Sequence, residues 1–402
     1  MSKFYELIDI IFIFMIAADL ESVLHIYNIN NFNSLILGLK FIIYTIMLIR
    51  LCMINMKSVK WGTFILYIFI GYCILNLIIS KNISASVQTL VYLILNTLYA
   101  YVLYCEYPIE KTLKLFMIPL SAITIISTAT SIILKNYGQY YDVVYNTNVW
   151  SGIFTHKNTF GSVCGLTIII FLVSLNYKEL SNKYKVVFLL TIINLYFSYS
   201  HTPAYAAITC VLYIAIKKIV KKEFALSIFN CILLFNYVYI FKYNNIKNIF
   251  SISNMDVSGR RAIYNIILII TNNQPILGYG LSAEWMEKGG IASTLINKYI
   301  GFNPNSCHNG FLELLLQLGY IGLAIYLILL GSIFIKAAEA YNTNKEYSSL
   351  IAILVYIILV SIFESNLAEF KSIYWILQAY ILFQFDRRKK KKITINRNLI
   401  NV

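Results

Sequence analysis

A chain of 402 residues in which 59% are hydrophobic and only 13% charged lies far outside the composition of soluble globular domains. Apolar stretches of about 18 to 23 residues recur along its whole length, each long enough to cross a bilayer. These stretches mark a polytopic membrane protein and exclude a soluble enzyme. The formal net charge of +15 raises the question of an acidic partner, which the positions of the basic residues answer.

The first apolar segment covers residues 5–24. It follows Lys3 and holds Asp9 and Asp19, and with so many segments behind it, it reads as a retained signal anchor rather than a cleaved signal peptide. Further spans are predicted at residues 34–54, 61–79, 84–105, 112–134, 159–176, 184–200, 202–220, 223–241, 309–335, 348–363 and 367–385. Pro203 and the Glu369/Lys371 pair lie within a turn of the starts of two of them. The expected fold is an all-α integral membrane protein of about 12 transmembrane helices. Its expected divisions are N-terminal helices over 1–134, a functional core over 135–335, C-terminal helices over 336–385 and a basic tail over 386–402. Six of the seven cysteines, Cys52, Cys73, Cys105, Cys164, Cys210 and Cys231, lie inside apolar stretches. With no paired spacing among them, they read as small buried hydrophobes. Cys307 lies outside the stretches and has no evident partner.

The basic residues set an orientation. With the N-terminus inside, the inner connections carry Lys57/Lys60, Lys111/Lys114, Lys178/Lys183/Lys185, Lys217/Lys218/Lys221/Lys222 and Lys336/Lys345, and the tail adds "DRRKKKK". Roughly two-thirds of the 33 Lys and Arg residues then face the cytoplasm, as the positive-inside rule requires. The tail run directly follows a span, so it reads as a topological anchor at anionic lipid heads, with no nucleic-acid partner implied. The net charge is mostly topology.

Two outer connections are long, 135–158 and 242–308. The second contains "SGRRAIYNIILIITNNQPILGYG", an amphipathic or partly buried helix followed by a Pro and Gly turn, which reads as structure rather than linker. Four polar groups stand at the outer ends of spans: His156/Lys157/Asn158, Ser200/His201/Thr202, Arg260/Arg261 and His308/Asn309. Three of the four histidines are among them. Each group alone could be an interfacial hydrogen-bonding residue, but all four fall on one face. Asn309, Glu313 and Gln317 follow at i, i+4 and i+8, a polar stripe down one helix face. That stripe lines a cavity or bonds neighbouring helices.

The chain lacks Asp-x-Asp, a Gly-rich phosphate loop and any His/Cys/Asp set at metal-ligand spacing. The outer-loop aspartates, Asp142 and Asp256, are far apart in sequence. A metal-bound nucleotide-sugar enzyme and a metallohydrolase are thereby disfavoured. What fits is metal-independent handling of an anionic, lipid-linked donor without a cofactor, in which arginines hold phosphate and a histidine manages a proton.

These residues, in this order, resemble the bacterial O-antigen ligase and polymerase superfamily (the WaaL/Wzy type). Similar members carry Gly-x-Phe-x-His-Lys-Asn-x-x-Gly, matched by Gly152, Phe154, His156, Lys157, Asn158 and Gly161. "SYSHT" at 198–202 matches Ser-x-Ser-Arg-Thr except that His201 replaces the arginine. A Gly-Arg pair opens the large outer loop, as at Gly259/Arg260. The loop ends in His-Asn-x-x-Leu followed by Gly-x-x-Gly-Leu, matched by His308, Asn309, Leu312, Gly319, Gly322 and Leu323. The resemblance covers roughly residues 150–330.

It implies a GT-C-like membrane glycosyltransferase that moves a glycan from undecaprenyl diphosphate to an acceptor hydroxyl at the outer face of the inner or plasma membrane. By the same resemblance His308 would be a general base or orienter of the acceptor, and Arg260 would bind diphosphate. Arg261 and Lys157 would assist, with His156, Asn158 and His201 also near the donor. Asn309 and Glu313 would set the acceptor's orientation. The composition's lean toward Ile, Lys, Asn and Tyr points to a capsule or exopolysaccharide producer. The expected function is therefore polymerisation of lipid-linked repeat units into capsular polysaccharide, exopolysaccharide or O-antigen, beside membrane lipids, a flippase and a chain-length regulator as partners. Two rivals are a ligase passing finished glycan to a lipid or protein, and a flippase. A flippase would carry charge through the depth of the bundle, whereas here charge gathers at one face.

Overall fold

A computed structural model describes residues 2–21, 23, 30–54, 61–216, 224–241, 260–285, 290–301, 304, 306–341 and 347–386. Gly259, Asp256, the tail run 387–392 and the basic residues Lys57, Lys60, Lys217, Lys218, Lys221, Lys222 and Lys345 lie outside the described residues. The helices before the long connection are α1 (Ser2–Ala17), α2 (Asn30–Met53), α3 (Trp61–Asn76), α4 (Ile83–Glu106), α5 (Ile109–Ile133), α6 (Lys157–Ser174), α7 (Asn182–Phe197), α8 (His201–Ile216) and α9 (Phe224–Phe241). Then come α10 (Arg260–Asn273) and α11 (Ile291–Ile300) in the long connection, followed by α12 (Gly310–Tyr341), α13 (Ile351–Val360) and α14 (Ile373–Phe385). Each predicted span contains one of these helices. Among the described residues, six helices are long and apolar enough to cross a membrane: Ser34–Met53, Gly62–Ile79, Ile83–Glu106, Ile109–Ile133, Lys157–Ser174 and Gly310–Glu339.

The last two helices form the centre. Every residue of α14 is buried, as is nearly every residue of α13. α14 packs on α4 and α13 on α6 and α8, so the hairpin is wrapped on both sides. At 10 and 13 residues the two helices are about 15 and 20 Å long, short of a hydrocarbon layer of roughly 30 Å. The predicted span at 367–385 begins as helix only at Ile373, because residues 361–372 form a non-helical tip. That tip is sunk into the bundle. Phe370 O accepts from Asn96 Nδ2 at 2.9 Å, halfway along α4. Asn309 Nδ2 donates to Ile362 O at 2.8 Å, and Gly310 N donates to Ser361 O at 2.7 Å. Non-helical backbone at such depth persists only where protein satisfies it.

The expected span at 309–335 is also two pieces. Helix α12 breaks at Gly319, whose φ is +64°. The freed carbonyls are taken by the end of the outer connection: Tyr279 N donates to Leu316 O at 3.0 Å, and Gly280 N to Gln317 O at 2.8 Å. A Cβ at residue 319 would lie 2.3 Å from Ile276 O, so the approach requires glycine. The piece before the break packs with α10 and α11 around Ile263, Ile267, Ile296, Leu312 and Leu316, a second apolar core apart from that of the bundle. The long connection is thus a small helical layer over one end of the bundle.

The fold is not wholly helical. In the connection after α5, strands β1 (Gln139–Asp142) and β2 (Thr147–Trp150) pair antiparallel with Tyr140 opposite Val149. Asp142 Oδ1 accepts from Val144 N at 2.9 Å, and Asn146 takes a φ of +52° to close the turn.

Candidate functional site

Three helices begin at one point. His156 is the N-cap of α6, its Nδ1 accepting from Asn158 N at 3.1 Å, which leaves the ring proton on Nε2. The first turn of α6 lies so close to the start of α8 that a Cβ at Gly161 would stand 2.4 Å from Ser200 Cβ. Ser200 Oγ in turn donates to Lys157 O at 2.7 Å. Arg260 opens α10. Asn309 caps α12, its Oδ1 accepting from Phe311 N at 3.0 Å and Leu312 N at 2.9 Å. The residue before it, His308, holds a φ of +53°, an uncommon conformation for a side-chain-bearing residue and one that collects at functional sites. Tyr264, one turn along α10 from Arg260, donates to His308 O at 2.9 Å.

All three helix starts meet the carboxylate of Glu364, on the tip between α13 and α14. Glu364 Oε1 accepts from Arg260 Nη2 at 2.8 Å and from Asn158 Nδ2 at 2.9 Å. Its Oε2 lies 3.4 Å from His308 Nδ1. Burial pushes the Glu364 carboxyl up. The hydrogen bond from His308 and the charges of Arg260, His308 and His156 outweigh burial and hold it below its ordinary 4.5. Convergent helix N-termini add partial positive charge. The place therefore suits an anion, with an imidazole alongside whose Nδ1 faces a fixed carboxylate.

The sequence-predicted residues divide around this point. Asn158, Arg260 and His308 share Glu364, and His156 is within electrostatic reach of it. Lys157 is engaged elsewhere: its Nζ lies 2.6 Å from Asp142 Oδ2 and 3.9 Å from the Tyr145 ring centroid. Asp142 is accordingly held below its ordinary value, burial being outweighed by the Lys157 hydrogen bond and charge. His201 is exposed and meets the rings of Tyr145 at 5.3 Å and Tyr205 at 6.2 Å. It joins the hairpin rather than the Glu364 cluster. Arg261 is half-buried on the next position of α10, about 100° around the helix from Arg260. Asn309 is fully buried and spends its amide on Asn236 Oδ1 and Ile362 O. Glu313 is buried one turn below, bonded to Cys307 N at 2.8 Å.

Sequence reasoning missed Glu364. Its signal was present but small: an acidic residue in the short break between two apolar runs on the same face as the histidines. Residues 186–327 match the family model described as O-antigen ligase. No curated protein matches the chain. The matched stretch holds His201, Arg260, Arg261, His308 and Asn309, while Asn158 and Glu364, which lie outside it, meet Arg260 and His308 in three dimensions. Over that stretch the chain matches the O-antigen ligase family, and its resemblance to the O-antigen ligase and polymerase superfamily of glycan-transferring membrane enzymes is borne out.

Proposed function

We propose that this protein polymerises undecaprenyl-diphosphate-linked oligosaccharide repeat units into capsular polysaccharide, exopolysaccharide or O-antigen. The observation that carries the reading is Arg260 and His308 on the two oxygens of one carboxylate. A sugar hydroxyl of the incoming lipid-linked unit attacks the anomeric carbon of the growing chain. The bond from that carbon to the diphosphate oxygen breaks, undecaprenyl diphosphate leaves with the electron pair, and the hydroxyl proton passes to a base. Glu364 accepting from His308 Nδ1 leaves Nε2 free to take that proton. The distance of 3.4 Å is at the long end for a hydrogen bond, as is usual before substrate binds.

Arg260 uses one N–H on Glu364, so other guanidinium donors remain for phosphate oxygens. The leaving group needs neutralisation more than protonation, which Arg260 and the convergent helix N-termini supply without a metal. We place the site at the extracytoplasmic face, with both termini in the cytoplasm, on the strength of the basic-residue asymmetry.

The test is reconstitution. The full chain in vesicles containing only the lipid-linked repeat unit is expected to build a ladder of lipid-linked polymers, and the Arg260→Lys variant only a faint one, since a point charge cannot replace the bidentate fork. Transfer only to an added lipid or protein acceptor would overturn polymerisation in favour of ligation. Movement of the unit across the bilayer without any new glycosidic bond would overturn the enzyme reading.

A further inference from the structure

Glu313 was expected to orient the acceptor, yet the residue is 2% exposed and its carboxylate accepts four hydrogen bonds. Oε1 takes hydrogen bonds from Trp285 Nε1 and from Gln317 Nε2, the latter at 2.6 Å. Oε2 takes Cys307 N at 2.8 Å and Ser365 Oγ at 3.5 Å. A carboxyl group is kept in such a place only if hydrogen bonds satisfy its oxygens. Apart from Gln317 on the same helix, the donors come from three separate segments: the outer connection, the turn before α12 and the tip between α13 and α14. Two of them are chain neighbours of the site. Cys307 precedes His308, and Ser365 follows Glu364.

We infer that Glu313 is a positioning residue that fixes the separation of His308 from Glu364. The inference rests on the reading of those two as base and partner. One oxygen, Oε2, holds the turn that carries the base and the tip that carries the carboxylate. The turn is held at 2.8 Å and the tip by a longer contact at 3.5 Å, beside the direct bonds of Gly310 N to Ser361 O and Asn309 Nδ2 to Ile362 O. Neither segment is regular helix at these positions, so no helical ladder holds the two in register. The strained backbone of His308 needs such outside support. Glutamine at 313 is nearly isosteric but sets an N–H₂ against donors on one side. It cannot serve both oxygens' partners.

The experiment compares Glu313→Gln, Ser365→Ala and His308→Ala in the reconstituted full chain, with kcat and KM for the lipid-linked unit measured for each. Expected for Glu313→Gln is a kcat lower by about a hundred-fold, the scale of an ångström-level misplacement, with KM near wild type. Ser365→Ala, which removes only the link to the tip, is expected to lower kcat about ten-fold at normal thermal stability. It decides the matter if Glu313→Gln fails to reach the membrane. A raised KM with unchanged kcat in Glu313→Gln would make Glu313 a substrate contact and overturn the inference. So would normal kcat in Ser365→Ala. The underlying reading fails separately, through an active His308→Ala.

Discussion

Arg260 donates to Glu364 at 2.8 Å although 104 residues separate them in sequence. The contact joins the layer formed by the outer connection to the sunken tip of the central hairpin, and it brings the arginine to the histidine through a shared carboxylate. A carboxylate among an arginine and two imidazoles organises positive charge as well as balancing it. Without its negative charge, Arg260 and His308 would lose their common reference point.

Glu364→Gln is therefore expected to lower the initial rate of polymer formation by about a hundred-fold or more, within the range for a general base deprived of its partner. Glu364→Asp keeps the charge on a shorter stem and should retain more activity than glutamine. Equal activity in Gln and wild type would show that the charge is dispensable and that Glu364 only packs the tip.

The same carboxyl sets a pH dependence of stability. Its folded value lies below the ordinary 4.5, so its contribution is fully present above about pH 4.5 and is lost as pH falls through the lower folded value. Unfolding of the detergent-purified protein, followed by temperature scans from pH 7 to pH 3, should show wild type more stable than Glu364→Gln at neutral pH. That difference should shrink only at acid pH. A difference that grows on acidification would reverse the sign and reject the assignment of Glu364 as a stabilised anion.

Lys157 and Asp142 form a second, separable unit. Their side chains are 9% and 11% exposed, so removing one partner strands the other charge, a loss on the order of 3 kcal/mol. Lys157→Met and Asp142→Asn are expected to destabilise similarly, and the double variant less than the sum of the two. Donor KM should stay near wild type in both. A raised donor KM in Lys157→Met alone would return the lysine to the diphosphate.

The helices were legible because hydropathy marks them; each predicted segment holds a helix, and six of the described ones are long and apolar enough to cross a membrane. What hydropathy smooths over was not. The break at Gly319 lies inside a segment that reads as one span, and the approach of residues 276–280 explains it. The stripe of Asn309, Glu313 and Gln317 lies on one buried face as expected. Its partners are backbone groups and neighbouring side chains that no spacing rule names. Lys157 looked available in sequence because Asp142 sits fifteen positions earlier, in a hairpin too short to register as strands. Glu364 was hidden by its neighbours, a single charge between two runs read as spans.

Accessibility tests the membrane orientation. Val143, at the hairpin turn, is 82% exposed at the end of the bundle where α6 and α12 begin. Lys178, 77% exposed in its side chain, follows the far end of α6. In a background with the native cysteines replaced, Val143→Cys should react with an impermeant maleimide in intact cells. Lys178→Cys should react only after permeabilisation. The reverse pattern would place the Glu364 cluster in the cytoplasm and remove an extracytoplasmic polymerase from consideration.

His308 carries the final prediction, because its backbone and its side chain make opposite demands. A φ of +53° costs a residue with a Cβ about 1–2 kcal/mol relative to glycine, and the fold sustains that cost through Tyr264, Asn309 and the Glu364 tip. Replacement by alanine keeps the cost and discards the imidazole, while glycine discards both. His308→Gly should therefore unfold at a higher temperature than His308→Ala, yet both should leave the lipid-linked repeat unit unpolymerised. His308→Gln keeps a hydrogen-bonding side chain that cannot take a proton near neutral pH, so it separates base from orienter. Loss of polymer with Gln as well as with Ala and Gly supports proton transfer. Near-normal polymer with Gln alone would demote His308 to positioning the acceptor, and full activity in all three would take the histidine out of the reaction.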